Sequence, residues 1–132
     1  MKNDLEKLLN LNNKDFILQA FKRIQDLPLS DAELSVLTNV DHANDTINAK
    51  NKYTYPIIKE VPIIGDVTKE FTHVKGNRRY SNEKVYYQDK AYILCNDWYY
   101  PSEGKKNTKD TRTKFLEWIE YLEHKYDSAK ST

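Results

Sequence analysis

A single cysteine and only three glycines in 132 residues leave several kinds of chemistry without their usual materials. With Cys95 alone, no internal disulfide can form. Small secreted domains commonly rely on a disulfide framework, so the composition suits a reducing, cytoplasmic setting. Gly65, Gly76 and Gly104 are too far apart to assemble either glycine-rich phosphate cradle, which removes the familiar nucleotide-hydrolysing folds. No apolar run approaches the roughly 18 residues of a membrane-spanning helix. Met1-Lys2-Asn3-Asp4 leads into a charged amphipathic stretch, which is not the pattern of a secretory signal. An excess of one charge is missing too. Twenty-one basic side chains face 20 acidic ones, a net charge of +1, so no whole-molecule field draws the chain to nucleic acid or anionic lipid.

The residues that usually carry catalysis are scattered. His42, His73 and His124 fall in three different segments. Asp41, His42 and Asp45 share one helical stretch, yet a zinc- or nickel-type site needs three converging ligands and no further ligand stands at the right spacing. Cys95 ends an apolar strand, the place of a small buried thiol rather than of an activated nucleophile. The sequence therefore nominates no catalytic residue, no metal and no cofactor. One enzymatic pattern has a partial echo. Metal-dependent nucleases of the restriction type combine an acidic residue with a later acid or Gln, one residue, and Lys; the carboxylates hold the ion and Lys polarises the attacking water. Asp66 followed by Gln88-Asp89-Lys90 imitates this loosely. The triplet also falls where a hairpin needs its turn, so the nuclease reading ranks third.

What the chain does have is aromatics: ten Tyr, four Phe and two Trp, each able to bury about 150–250 Å². The first half reads as helices. Asn3 precedes a short one carrying Leu5, Leu8 and Leu9. A second is expected over 14–27, with Phe16, Ile17, Ala20, Phe21, Ile24 and Leu27 on one face and Pro28 as its stop. Ser30-Asp31-Ala32-Glu33 is a capping box, opening a third helix that turns Leu34, Leu37, Val40 and Ile47 inward and frays near 48–51. From Tyr53 the pattern becomes extended. Pro56 and Pro62 punctuate Tyr53–Ile64 and mark it as edge strand or extended chain, since proline cannot donate to an interior ladder. Phe71–Lys75 reads as a short strand ended by Gly76-Asn77.

A hairpin over 84–95 joins Lys84–Tyr87 to Ala91–Cys95 through Gln88-Asp89-Lys90, with Ala91, Ile93 and Cys95 expected to face the core rather than Tyr92 and Leu94. Trp98–Pro101 closes the sheet, and 102–106 is an exposed loop. Asn107 or Thr108 then caps a helix on which Phe115, Trp118, Ile119, Leu122 and Tyr126 form one stripe, with 127–132 a frayed tail. The fold class is α+β in a single domain over 1–132, a whole protein or a piece cut from a larger one. The N-terminal helices come first, then a small antiparallel sheet, then a closing helix packed on it.

Charge distribution supplies the functional expectation. Residues 1–50 hold six basic and eight acidic side chains, whereas 69–114 hold eleven basic and six acidic. Within that basic interval Asn77, Arg78, Arg79 and Tyr80 offer two guanidiniums, an amide and a stacking ring, suited to phosphates and base edges. Lys105, Lys106, Lys109 and Arg112 follow on a loop and a first helical turn, where a helix N-terminus also attracts anions. These eight residues make a noncatalytic nucleic-acid-binding module the first expectation, with DNA placed ahead of RNA. The abundance of Asn and Lys suggests an AT-rich coding sequence and so a bacterial, phage or mobile-element source. The alternative is a protein-interaction module, an inhibitor or adaptor, using tyrosines and the proline-flanked edge segment Tyr53–Ile64.

Overall fold

A computed structural model describes residues 3–47, 53–66, 73–74, 77–81, 83–96, 98 and 111–130. It is an α+β fold. Helices α1 (Asn3–Glu6), α2 (Asn13–Ile24), α3 (Asp31–Thr38) and α4 (Val40–Ile47) precede strands β1 (Ile58–Val61), β2 (His73–Val74), β3 (Asn77–Arg78), β4 (Val85–Tyr87) and β5 (Lys90–Leu94). The closing helix is α5 (Thr111–Lys130). A 3₁₀ turn over Lys7–Asn10 joins α1 to α2.

Local chemistry accounts for the helix boundaries. Asn12 caps α2, its side chain accepting from the Asp15 amide at 2.8 Å. The capping box at Ser30 is complete: the Glu33 amide donates to Ser30 Oγ at 3.1 Å, and the Ser30 amide donates to Glu33 Oε1 at 2.8 Å. The single helix expected after Ser30 is in fact two, because Asn39 takes an extended conformation between them. Its amide closes α3 on Ser35 O, while its side-chain oxygen accepts from the His42 amide at 3.1 Å and caps α4. Asn offers the backbone a side-chain alternative to the helical bond, and here that alternative wins. Val36 and Ala43 join Leu37 and Ile47 in the core, while Leu34 and Val40 are only half-buried.

The main sheet is antiparallel in the order β1-β5-β4, with Ile58 opposite Leu94 and Val85 opposite Tyr92. β2 and β3 form a separate antiparallel pair. The hairpin expected over 84–95 is present, with Gln88 at φ 56° in its turn. Because β5 is the central strand, both of its faces are buried. Tyr92 and Leu94, with Ile58, Val85 and Tyr87, face the helices and share their core. Ala91, Ile93 and Cys95 line a second, smaller core on the opposite face, with Val61, Tyr80 and Tyr55. The expectation that the smaller set faces the main core is thus corrected, since the larger side chains fill the wider space beneath the helices.

Helix α5 turns Phe115, Leu116, Trp118, Ile119 and Leu122 inward, in the same core as Tyr92 and Leu94, with α2 and α4 as its helical neighbours. Helix runs on to Lys130, past the point at which a frayed tail was expected. Trp98 is the wedge between layers. Its ring centre lies 5.1 Å from Phe16, 4.9 Å from Phe115 and 5.7 Å from Tyr53, and its indole N–H donates to Cys95 O at 2.7 Å. Arg23 ties three helices together, with a two-pronged contact to Glu123 at 3.1 and 2.9 Å and a third bond to Asp4 at 2.6 Å. The expected strand residues Phe71, Thr72 and Lys75, the 99–101 segment and the 107–108 cap lie outside the described residues.

Candidate interaction surface

Two of the eight residues nominated for nucleic-acid contact are committed to the fold. Arg112 is 7% exposed, and its guanidinium donates to Leu9 O at 2.9 Å, to Leu11 O and to Asn13 Oδ1 at 2.8 Å. Tyr80 is 1% exposed. Its hydroxyl donates to Pro56 O at 2.7 Å, and burial raises its pKa above the ordinary phenol value. Arg112 sits against Phe16 beneath the helices, whereas Tyr80 belongs to the second core on the far face of the sheet. The fold therefore does not bring the two onto one surface. Asn77 and Arg78 form β3, paired with Val74 and His73. Arg79 is half-buried, with its guanidinium carbon 6.0 Å from the Tyr55 ring centre. Lys105, Lys106 and Lys109 lie outside the described residues.

The catalytic alternatives fare similarly. Gln88 and Asp89 make the hairpin turn, Lys90 faces Glu60 at 3.7 Å, and Asp66 lies in the exposed loop after β1. Among the described residues no three His, Cys, Asp or Glu side chains come together as a metal site. None of the described helices is long and apolar enough to cross a membrane. His42 Nδ1 bonds Ser35 Oγ across the α3–α4 corner. Glu33, besides its capping role, receives Lys125 Nζ at 2.7 Å and the Tyr126 hydroxyl. Burial alone would raise its pKa, but these donors and the Ser30 amide outweigh burial and hold it at about 2. An ionised carboxylate saturated with donors is a structural clasp, not a proton shuttle. It forms one wall of a groove of about 290 Å³ between α3, α4 and α5, floored by Val36 and Trp118 and flanked by Tyr121.

A different surface emerges beside β1. The Cys95 amide donates to Ile57 O at 2.9 Å, which sets the phase of the ladder. In an antiparallel pair alternate residues bond the same neighbour, so Lys59 and Val61 bond β5 while the main-chain groups of Ile58 and Glu60 point away from it. Ile58 is nevertheless buried at 1% exposure, so of these two positions only Glu60 reaches solvent. The opposite edge is treated differently: the outward carbonyl of Tyr86 in β4 accepts from Gln25 Nε2 at 2.8 Å.

Past β1 the chain turns through Pro62 into an exposed loop. Ile63 is 56% exposed and Ile64 89%, and Gly65 follows at φ 115°, a conformation that favours glycine. Lys84, just before β4, reaches across and donates its ammonium to Ile63 O and Gly65 O, each at 2.9 Å. This strap holds the loop from within while both isoleucines point outward. The prolines mark the segment as an edge in the sequence, but nothing there signals the strap, because Lys84 reads as an ordinary polar residue at the start of a strand. Comparison with protein-family models, with curated proteins and with solved structures finds no match.

Proposed function

We propose that the chain is a noncatalytic protein-interaction module that engages its partner through the exposed Ile63–Ile64 loop that follows β1. The observation that carries this reading is the strap: two adjacent isoleucines stay exposed on a loop held by Lys84. Single exposed apolar residues are ordinary on any surface. An adjacent pair on a tethered loop is different, because covering each isoleucine fully contributes about 1.5–3 kcal/mol to an interface and the tether lowers the ordering cost. The proposal includes a cytoplasmic setting in a bacterial or phage-infected cell, with Cys95 as a reduced, buried thiol.

The nucleic-acid reading keeps Asn77, Arg78, Arg79, Lys105, Lys106 and Lys109 as its contacts, and it makes the opposite prediction about salt. Retention of a partner through apolar contacts should survive high salt and be lost when Ile63 and Ile64 are both changed to Asp. Binding to labelled DNA or RNA that weakens steeply with salt and ignores that double change would favour the nucleic-acid reading instead. Thermal melting of the double variant should match the parent, since both side chains are exposed.

A further inference from the structure

We infer that Tyr121, exposed on α5, anchors an arginine-bearing basic segment of a partner protein, held over the acidic corner that α3 and α4 form beside it. This surface shares no residue with the Ile63–Ile64 loop and is a second place of contact.

The near-zero net charge conceals an uneven distribution. Between Arg23 and Lys50 stand five carboxylates and no lysine or arginine. Glu33 is answered by Lys125 and Tyr126. Asp31, in the first turn of α3, and Asp41 and Asp45, one turn apart on α4, are exposed. Among the described residues none of these three has an ion pair or a hydrogen bond. Asp31 directly precedes Ala32, and Asp45 directly precedes Thr46, both of which line the groove over Val36 and Trp118.

Tyr121 borders that groove and also a second, open hollow of about 580 Å³, shared with Glu117, Glu120 and His124. The groove floor is nearly closed, with Val36 4% and Trp118 8% exposed, so the accessible aromatic is Tyr121 itself, at 59%. Among the described residues its ring and hydroxyl make no hydrogen bond or ring contact. Lys125, the ammonium bordering the groove, is committed to Glu33 at 2.7 Å and lies over the Tyr126 ring instead. Lys114 meets Glu117 at 3.8 Å, an exposed pair longer than a hydrogen bond that contributes little.

An open tyrosine face with carboxylates around it is matched by a guanidinium, which stacks on the ring through its plane and donates to carboxylates from its edge. Further basic residues of the same segment find Asp41 and Asp45. The same charges repel a nucleic acid, whose phosphates would meet three unpaired carboxylates.

The test uses the intact, isotopically labelled protein. A hexapeptide of alternating leucine and arginine, amidated at its C-terminus, is titrated beside its leucine–lysine counterpart. Amide shifts should concentrate at 31–46 and 117–125, and the arginine peptide should bind several-fold more tightly. Tyr121→Ser should weaken that peptide about two- to five-fold, the effect of an exposed cation–π contact, and remove its advantage over lysine. Tyr121→Phe should keep both. Asp41→Asn combined with Asp45→Asn should weaken the two peptides alike. All of these positions are exposed, so thermal melts of the variants should match the parent. Equal affinity for the two peptides, an unaffected Tyr121→Ser variant, or shifts centred elsewhere would each overturn the assignment. So would shifts at 117–125 that grow with protein concentration alone, the mark of a second copy, or that appear on adding a DNA duplex. Changing Ile63 and Ile64 to Asp should leave peptide binding unaltered, so this inference and the loop reading fail separately.

Discussion

The guanidinium of Arg112 lies 4.6 Å from the centre of the Phe16 ring, over a residue far earlier in the sequence that adjoins it in the core. The same group holds the carbonyls of Leu9 and Leu11 at the turn between α1 and α2. A basic residue in the first turn of a helix thus serves as the clamp on the N-terminal segment. Arg112→Ala should destabilise the fold by about 2–4 kcal/mol, because two carbonyls and an amide oxygen lose a charged donor in a buried place. Arg112→Lys should recover only part of this, since an ammonium cannot reproduce the planar fork. Urea denaturation measures both. A variant as stable as the parent, but weaker on DNA, would return Arg112 to the list of phosphate contacts.

Glu33 predicts an acid limb of stability. Its carboxyl is held at about 2 against an ordinary 4.5, so its contribution is full above about pH 4.5 and is lost as pH falls towards 2. With Lys125 half-exposed, solvent screening reduces the effect to about 1–3 kcal/mol. Glu33→Gln should lower stability at neutral pH and flatten the decline across this window. Urea midpoints recorded through the window give the slope; an unchanged slope in the variant would mean that other carboxylates carry it.

Gln88 occupies the hairpin turn at φ 56°, in a region that side chains other than glycine rarely adopt. Gln88→Gly should relieve this and stabilise the protein by about 0.5–1 kcal/mol, net of glycine's greater freedom in the unfolded chain. The check is a raised melting temperature with an unchanged amide spectrum outside residues 85–92.

Trp118 is 8% exposed and stacks on Phe115 at 6.0 Å between ring centres. Trp118→Ala should cost about 3–5 kcal/mol, the range for a large buried aromatic. Equal melting of variant and parent would mean that this helix face meets a partner instead of the core.

Periodicity made α2, the capping box at Ser30 and the hairpin over 84–95 legible, because each depends on chemistry within a few neighbouring residues. The stripe on α5 was legible for the same reason. The inward face of β5 was not. Alternation identifies one buried face, and a central strand has two, so Ala91 and Tyr92 carry equally valid signals. Tyr80 and Arg112 were misleading in a different way. Their side chains match those of a phosphate- and base-binding patch, and only contacts with Pro56 and with Leu9 and Leu11, distant in sequence, reveal where they go. The proline-flanked segment was recognised as an edge, but the exposure of Ile63 and Ile64 depends on Lys84, whose reach is a tertiary fact.

The clasp between Glu33 and the pair Lys125–Tyr126 has a consequence for how the chain is made. The first four helices leave the ribosome before the last one, and the core they share with the sheet stays incomplete until Phe115, Trp118 and Leu122 emerge. Arg23 likewise waits for Glu123, and the Leu9 and Leu11 carbonyls wait for Arg112. Native structure in the early half is therefore completed only once α5 has emerged. A nascent chain stalled before Thr111 should be a protease-sensitive substrate for chaperones, and one allowed to finish should become resistant in a single step.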